Sequence, residues 1–519
     1  MLTSHYRGKL EVVELTGSDL TIEEIINVSL NKTKVMLAPG IMNRIHHERN
    51  VLVNITKNGP PIYGVTRGVG ANKNVEIPDA LISEYQYRIL LSHCVGVGPF
   101  YSEDIVRAIM IARANALAKG GTGVQPEILD MYINMLNHRI HPLTPSKGSI
   151  GAGDLGPMAN MGLALIGEGE VIYQGKTMTS IKAMEQAGLK PIKLGPKDGL
   201  ILCSNNGVSI GHAALLVYRY ASMLDHANIS YALSLEAFRG NVTSLHSIPN
   251  VYRPHKGQLD CTKDIVNYLE NSFLWDENIQ RGVQDPISYR SAIQVHGACR
   301  DIFDFTLNGM NIEINSVGDN PLLSPEETSL ISHGNYHIQT IAMRFDFLGI
   351  QSSSLANMIQ HRIQKLMSPG FSDLPKFLTS DPGLSNGFST LQKTYTYLAA
   401  EIRHLANPGS LDALPVANGV EDHASMATFV IQKTEKIIEN LEMMIGIELM
   451  VAAQAIDLLG TPKLGKGTNI AYASLRGIIP MLDKDRVLSQ DIEKAHSLIR
   501  SGAMLNEINT REKVTSIIE

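Results

Sequence analysis

The stretch best suited to unusual chemistry is a glycine-rich segment at residues 148–156, GSIGAGDLG. It lies between a helical pattern that ends near His141 and another that begins at Met158. Glycine reaches backbone conformations that are closed to other residues. The segment therefore meets the physical requirement for a catalytic group made from the main chain.

Residues 148–155 resemble the signature of the histidine and phenylalanine ammonia-lyase family, Gly-Ser-Val-Gly-Ala-Ser-Gly-Asp-Leu. In that family the Ala-Ser-Gly tripeptide cyclises and dehydrates into MIO, an electrophilic imidazolone. Here no serine stands between Ala152 and Gly153. Ser149 cannot take over, because ring closure needs a glycine amide directly after the serine and an isoleucine follows it. We therefore predict no MIO and a degenerate cofactor loop at Ala152, Gly153 and Asp154.

The composition is that of an ordinary soluble globular protein, with 519 residues, 44% hydrophobic and 18% charged, and a formal net charge of −6. The sequence has no basic stripe or arginine-rich segment, so nucleic acid is not an expected partner. The cysteines are too scattered for a metal cluster or a disulfide framework, at Cys94, Cys203, Cys261 and Cys299. We expect no metal and a reducing, cytoplasmic location.

The most apolar long run, residues 443–460, carries Glu448, Gln454 and Asp457. These polar residues predict a buried helix of a large bundle and not a membrane span. Residues 1–7 lack the apolar core of a signal peptide. We therefore expect no membrane association.

Helical periodicity dominates the chain. Apolar bursts at 10–15 and 35–37 predict a small strand element. Helices are predicted at 41–54, at 83–91, from a cap at Ser102 to Gly120, and at roughly 208–239, 289–311, 335–368, 387–406, 424–458 and 490–501. The pattern favours an all-α bundle with a small mixed N-terminal part. We place a domain boundary between residues 1–200 and 201–519.

The resemblance adds an architecture that periodicity alone does not give. It implies an elongated helical bundle of the histidine and phenylalanine ammonia-lyase type, which is fumarase/aspartase-like. Members of the family are homotetramers, and each of their active sites is built from loops of three subunits. We therefore expect a homotetramer that acts on a small molecule in active sites shared between subunits.

A second loop, residues 59–70, contains four glycines and two prolines and cannot be a regular helix or strand. Its Tyr-Gly-Val and Gly-Val-Gly resemble the family's Tyr-Gly-Ile/Val-Asn-Thr-Gly-Phe-Gly loop, whose tyrosine removes the β-hydrogen of the substrate. The resemblance implies that Tyr63 is the base, where a loop tyrosine is otherwise a packing residue. Because tyrosine titrates near about 10 in water, Tyr63 needs a nearby cation or hydrogen-bond donors.

Two motifs indicate the substrate's ring. Leu-Ser-His at 91–93 resembles the family's Leu-Ser-His, whose histidine reads the ring in histidine and tyrosine lyases, although a lone helical histidine is often structural. Glu-Asp-His at 421–423 resembles histidine ammonia-lyases, whereas phenylalanine lyases carry a different sequence. His93 with Glu421 thus implies an imidazole-like substrate. Glu421 would hydrogen-bond a ring nitrogen or serve as an acid or base.

The segment 284–290, Gln-Asp-Pro-Ile-Ser-Tyr-Arg, resembles Gln-Asp-Pro-Tyr-Ser-Leu-Arg, whose arginine grips the amino-acid carboxylate. It implies Arg290 as the anchor beside Gln284, with a plain salt bridge as the alternative. Asn320, in a motif similar to Ser-Asp-Asn-Pro-Leu, would bond the same carboxylate. Ile287 replaces the tyrosine credited with supporting the imidazolone.

Gly-Asn-Tyr-His at 334–337 resembles Gly-Asn-Phe-His, so Tyr336 stands where the family has a phenylalanine beside the cofactor. Asn-Asn-Gly at 205–207 resembles the Asn-Gly-Thr that touches cofactor and substrate. It implies Asn206, with Asn205 as the alternative, although turn formation alone also explains the pair. Tyr336 and Phe388 are candidates to hold a cation, because aromatic rings attract ammonium groups.

The missing serine restricts the chemistry. In a primary ammonium substrate the acidic N–H, which titrates at about 8, can quench the base. The imidazolone avoids this by capturing the amine. A quaternary ammonium group has neither an acidic N–H nor a lone pair, so it neither needs nor can use the electrophile.

These features together resemble the ergothionase branch of the family, and we predict elimination of trimethylamine from a histidine-derived betaine, such as ergothioneine to thiolurocanate. One alternative is an ordinary histidine-type ammonia-lyase whose MIO forms by an unrecognised route. Another is a non-catalytic homologue that serves as a scaffold, which the retention of Tyr63, Arg290 and Glu421 disfavours.

Overall fold

The computed structural model describes residues 10–279, 282–381 and 383–518. The strands are β1 Val12–Leu15, β2 Lys34–Leu37, β3 Val97–Phe100, β4 His141–Pro142, β5 Pro145–Lys147, β6 Glu170–Tyr173, β7 Lys176–Thr179, β8 Leu322–Ser324 and β9 Ser329–Ile331. The helices are α1 Ile22–Leu30, α2 Ile41–Asn58, α3 Ile82–His93, α4 Glu103–Lys119, α5 Pro126–His138, α6 Leu155–Leu165, α7 Ser180–Ala187, α8 Asp198–Cys203, α9 Gly207–Phe238, α10 Ser247–Tyr252, α11 Lys256–Tyr268, α12 Ile287–Arg290, α13 Ala292–Glu313, α14 Gln339–Leu366, α15 Pro369–Ser372, α16 Leu391–Leu405, α17 Ala427–Leu458, α18 Lys466–Arg476, α19 Leu488–Ser501 and α20 Ala503–Ile518.

The strands form small sheets, most of them in the first 200 residues. β1 and β2 pair in parallel, β3 pairs with β5, β4-β6-β7 form a three-stranded sheet, and β8 pairs with β9. In β1, Val13 and Leu15 are buried and their neighbours exposed, which is the alternation of a half-buried strand. The predicted all-α bundle with a small mixed N-terminal part is confirmed.

Three long helices, α9, α14 and α17, form the body of the protein, and α17 packs against the other two. Every residue from Met444 to Ile456 is buried, which makes α17 an interior helix. Its buried carboxylate Glu448 pairs with Arg362 of α14, and Ser230 of α9 donates to it at 3.0 Å. The run at 443–460 is therefore the buried bundle helix that the sequence predicts.

The largest hydrophobic cluster draws residues from both sides of position 200, for example Ile109 of α4 and Val217 of α9. Close approach of these two helices depends on Gly211, because a side chain there would collide with the Ile109 backbone. The two parts thus share one core. The boundary at residue 200 stays a prediction.

Two predicted helix starts are displaced at functionally interesting places. The helix expected from residue 335 begins at Gln339, because residues 334–337 form a turn closed by the His337 amide and the Gly334 carbonyl. The helix expected from Met158 begins at Leu155, with Asp154 at its N-terminal cap position. Ser102 does precede α4, but its side chain makes no capping hydrogen bond.

The stretch 198–238, comprising α8 and α9, is long and apolar enough to cross a membrane, and 83% of its most apolar window is buried inside the protein. This burial is typical of a core helix. In the described ranges, no group of three or more His, Cys, Asp or Glu side chains is arranged to hold a metal ion. The four cysteines are free thiols.

Candidate active site

The loop that carries Tyr63 is fixed to the helices beneath it. The Ile62 amide donates to the Thr66 hydroxyl at 2.7 Å, which closes the turn, and Gly64 adopts a φ of +69°. The side chain of Gln86 in α3 donates to the Gly64 carbonyl at 2.8 Å and accepts from the Leu200 amide at 3.2 Å. Gln86 is fully buried, so this amide side chain attaches the loop to both α3 and α8.

The phenol of Tyr63 lies in a polar pocket of its own chain. The Gly70 amide donates to its hydroxyl at 2.9 Å, which favours the phenolate. Burial opposes this effect and, together with the nearby Glu421 carboxylate and Tyr336, raises the pKa of Tyr63 above its ordinary value. Without a further cation, Tyr63 is therefore a neutral phenol at physiological pH.

Glu421 lies beside this pocket, in the segment between α16 and α17, where a short β-bridge holds the chain. Residues Val416 and Glu421 pair as an isolated antiparallel bridge, with Val416 N–H donating to the Glu421 carbonyl at 2.8 Å. Glu421 adjoins Gly70, because a side chain at Gly70 would lie 3.9 Å from Glu421 Oε1. The predicted base and the predicted ring-binding carboxylate thus belong to one cluster.

The degenerate loop is organised around Asp154, which is fully buried. Its carboxylate accepts from the Ser149 hydroxyl at 2.8 Å, and from the Ser209 amide at 2.7 Å and hydroxyl at 3.0 Å. Burial raises the pKa of Asp154 to about 6 in spite of these donors. Because Ser209 lies in the first turn of α9, Asp154 ties the loop to a helix N-terminus, where negative charge is favourable.

The residues present in this loop do not fit MIO. Gly151 and Gly153 have φ values of +75° and +78°, and the chain passes from Ala152 to Gly153 with no hydroxyl side chain between them. The nearest candidate, Ser149, donates its hydroxyl to Asp154 and precedes Ile150. No serine followed by glycine is therefore available to close the ring.

Two other segments enclose the loop. On one side, the Ser425 hydroxyl donates to the Gly151 carbonyl and the Met426 amide to the Ile150 carbonyl, both at 2.7 Å. On the other side, Ala152 forms an antiparallel bridge with His337. The segments that carry Glu421 and Tyr336 thus meet at the degenerate loop.

Asn206 rather than Asn205 points toward this meeting place. The Asn206 side chain donates to the Tyr336 carbonyl at 2.9 Å, and its buried Oδ1 has no partner among the described residues. The Asn205 side chain instead donates to the carbonyls of Ile201 and Leu202 and accepts from the Gly207 amide. Asn205 serves the local turn, which leaves Asn206 as the substrate-binding candidate.

His93 ends α3, and its backbone approaches the degenerate loop near Gly156. Its Nδ1 lies 2.7 Å from the Ile89 carbonyl. Because a carbonyl can only accept, Nδ1 carries the hydrogen, and in the neutral ring Nε2 is an acceptor. His93 can therefore accept a hydrogen bond from a ring N–H of a substrate.

The predicted carboxylate anchor makes no hydrogen bond or ion pair with this cluster among the described residues. Arg290 ends the short helix α12, is exposed, and makes a hydrogen bond to Gln284, which is also exposed. The Asn320 Oδ1 accepts from the His333 amide at 2.9 Å, so its side-chain amide is the donor that a carboxylate would use. In the described part of the chain, the hydrogen bond of the Arg290 side chain goes to Gln284 and not to Tyr63 or Glu421.

Phe388 is 3% exposed and belongs to the hydrophobic core, with its amide bonded to the Phe377 carbonyl. A ring so deeply buried cannot meet a substrate cation without movement of its neighbours. Tyr336, which is partly exposed beside Tyr63, is the better placed of the two predicted aromatic residues.

Sequence reasoning missed Tyr85, Gln86 and Ser209. Tyr85 lies close enough to Tyr63 for the two hydroxyls to influence each other's ionisation. It stands eight residues before His93 on α3, about 80° away around the helix, so the spacing alone does not single it out. A polar Gln86 on the buried face of the same helix was an available signal.

The chain is similar to several known proteins over most of its length. A family model described as aromatic amino acid lyase matches residues 20–477. The histidine ammonia-lyase of Alkaliphilus metalliredigens is 39% identical over 510 residues, covering 98% of this chain and 100% of that protein. Among solved structures, ergothionase from Treponema denticola, in complex with desmethyl-ergothioneine sulfonic acid, has a TM-score of 0.92 at 38% identity, covering 95% of this chain and 100% of that one. Histidine ammonia-lyase from Trypanosoma cruzi has a TM-score of 0.89 at 29% identity, covering 96% and 95% of the two chains.

Proposed function

The chain belongs to the aromatic amino acid lyase family, and we propose that it eliminates trimethylamine from a trimethylammonium betaine of histidine, with ergothioneine as the first candidate, and without MIO. One observation carries the proposal. The chain keeps motifs that resemble the family's base, ring-binding and carboxylate-binding motifs, but Gly153 follows Ala152 directly where the electrophile would form. The similarity to ergothionase from Treponema denticola supports the same choice.

The proposed reaction is a 1,2-elimination. Tyr63, as phenolate, takes a proton from the substrate's β-carbon, the C–H electron pair becomes the new carbon–carbon double bond, and the Cα–N bond breaks. Its electron pair leaves on trimethylamine, and the products are a conjugated acrylate, a neutral amine and a proton held on Tyr63. Atoms and charge balance without an oxidant or an electrophile.

The substrate's permanent charge also explains how a buried phenol becomes a base. Burial and Glu421 raise the pKa of Tyr63 in the free chain. A quaternary ammonium group held near the hydroxyl lowers that pKa again, because an opposite charge within about 4–6 Å favours the ionised form. Bound substrate would thus create the base that removes its own proton.

The other residues position the substrate. Arg290, with Asn320, would hold the carboxylate, for which a planar guanidinium is suited. His93 Nε2 would accept from a ring N–H, and Glu421 would bond the ring from the Tyr63 side. Tyr336 would lie against the trimethylammonium group, whose charge is attracted to an aromatic face.

We also propose that the active site is completed between copies of the chain in a homotetramer. Arg290 and Gln284 are exposed, and no hydrogen bond or ion pair joins them to Tyr63 among the described residues. Large apolar side chains are also exposed along α13 and α14, namely Phe305, Ile312, Met343, Phe347 and Ile350. Such a stripe on long helices is typical of a surface covered by another subunit.

The test is a comparison of substrates. Purified protein is incubated separately with ergothioneine, hercynine and histidine, while the ultraviolet absorbance of the conjugated acrylate is followed and the released amine identified. We expect trimethylamine from a betaine and no ammonia from histidine. Ammonia from histidine alone would instead support an ordinary histidine ammonia-lyase, the activity of the relative in Alkaliphilus metalliredigens.

A further inference from the structure

Two histidines that are not among the predicted site residues, His337 and His423, contact each other beside the candidate active site. His337 Nε2 is 2.9 Å from His423 Nδ1, and the ring centroids are 5.0 Å apart with an interplanar angle of 32°. His337 directly follows Tyr336, and His423 lies two residues after Glu421. The hydrogen bond therefore spans the gap between the two segments that hold the aromatic wall and the ring-binding carboxylate.

The histidine bond completes a set of contacts that join three segments pairwise. The degenerate loop is bridged to His337 through Ala152, and it is bonded to the other segment through Ser425 and Met426. Apart from the histidine bond, no hydrogen bond joins these two segments directly among the residues that the structure describes. The third of these connections is a single contact between side chains.

We infer that His337 and His423 form a positioning pair that sets the distance between Tyr336 and Glu421, and that the pair works only while it holds one shared ring proton between the two facing nitrogens. This inference rests on the proposed elimination for its choice of substrate. Neither histidine touches the reacting atoms in it, so both act through the residues they hold.

The proton requirement follows from imidazole chemistry. A hydrogen bond between two ring nitrogens needs one N–H donor and one bare acceptor. When both rings are protonated, two donors and two positive charges face each other, and the bond is lost. The proximity of His423 and partial burial of His337 lower the pKa of His337, with burial the larger cause, which agrees with a ring that resists the second proton.

Several other charges act on the pair. Lys119 and Glu313 line the same cavity as His337, which has a volume of about 580 Å³. Glu421 and Asp422 precede His423 in the chain, and the Glu421 carboxylate lies near Tyr63. The amide variants His423→Asn and His337→Gln therefore decide whether a loss of kcat/KM at low pH comes from the pair or from one of these neighbouring groups.

A double-mutant cycle tests the inference. We expect His337→Ala and His423→Ala each to lower kcat/KM by about tenfold, as for the loss of one hydrogen bond, and the double variant to be no worse than either alone. Independent effects that multiply in the double variant would overturn the pairing. His138→Ala, an exposed histidine at the end of α5, is the matched control.

Conservative variants separate positioning from simple packing. Asparagine offers a polar atom where His423 uses Nδ1, and glutamine offers one where His337 uses Nε2, so His423→Asn and His337→Gln should restore most of the activity. Because these amides do not titrate near neutrality, kcat/KM of these variants should fall less steeply below about pH 6 than that of the unchanged protein. The inference would be contradicted if His423→Asn were as impaired as His423→Ala. It would also be contradicted if kcat/KM of the amide variants fell at low pH as steeply as that of the unchanged protein.

The outcome does not depend on which substrate is correct. If histidine is turned over and ergothioneine is not, the proposed function fails, but the same cycle is measured with histidine. Independently, ¹⁵N-detected NMR of the ring nitrogens should show a hydrogen-bonded pair that disappears together in both rings on acidification. Two rings that titrate separately would overturn the pairing under either function.

Discussion

The two halves of the proposed site are built in opposite ways. The half that contains Tyr63, Glu421 and the degenerate loop is fixed by hydrogen bonds within one chain, many of them buried. The half that contains Gln284 and Arg290 lies on an exposed segment, where the only described partner of Arg290's side chain is Gln284. We propose from this contrast that one chain positions the base and the ring-binding residues by itself, and that a neighbouring chain completes the carboxylate-binding half.

The largest expected effect is a loss of turnover when Tyr63, in the half that contains the degenerate loop, is changed. Tyr63→Phe should lower kcat by about 10²–10⁴-fold, the usual contribution of a positioned base, and leave KM nearly unchanged. Steady-state kinetics with the betaine substrate measure both constants, and Tyr252→Phe, at a position that is 86% exposed, is the control. A variant altered mainly in KM would assign Tyr63 to the binding half.

A change in the half that contains Gln284 and Arg290 should mainly raise KM. Arg290→Ala removes charged hydrogen bonds to the carboxylate, each worth about 1.5–3 kcal/mol, so KM should rise by about 10–100-fold with a smaller change in kcat. Arg403→Ala, an exposed arginine on α16, is the matched control. If kcat falls and KM does not, Arg290 is not an anchor of the ground state.

The pH dependence distinguishes the free chain from the complex. Since burial and Glu421 raise the pKa of Tyr63, the phenolate fraction of the free enzyme grows up to about tenfold per pH unit through the neutral range. We expect kcat/KM to rise with pH up to at least about pH 9 and kcat to rise less, because the bound cation lowers the pKa. If kcat and kcat/KM depended on pH in the same way, the bound substrate's charge would not lower the pKa of Tyr63, and this part of the proposal would be wrong.

Mixing the two defects tests whether the halves come from different chains. Tyr63→Phe and Arg290→Ala chains are co-expressed with different tags and the mixed oligomers purified. If each site takes its halves from two chains, random assembly leaves about a quarter of sites intact, and activity returns to that level. Activity no higher than that of the two parents would mean that both halves come from one chain.

The sequence predicts much of the fold, and it does so through local patterns. The long helices α9, α16 and α17 and the loop around Tyr63 follow from periodicity and from glycine and proline placement. The predictions are wrong mainly at helix ends. The helix predicted from residue 335 begins at Gln339, because residue 337 in the segment before it pairs with the degenerate loop. That departure is set by a contact almost two hundred residues away along the chain.

The site shows the same division. Motifs identify Tyr63, Glu421 and Asn206 as candidates, and the structure brings these residues or their segments together. The sequence does not indicate that Asp154 bonds Ser209 or that His337 meets His423, because such pairs depend on tertiary packing. The sequence also suggests Phe388 as a cation-binding residue by its type alone, but its burial in the core keeps it from contact with a substrate.

The most direct test of the central claim is the intact mass of the chain in a preparation that is releasing trimethylamine from ergothioneine. Formation of MIO removes two water molecules from the polypeptide. We expect active protein to have the unmodified mass, calculated from the sequence as printed. An active preparation lighter by two waters would show that the electrophile forms after all, and it would contradict an elimination that proceeds without it.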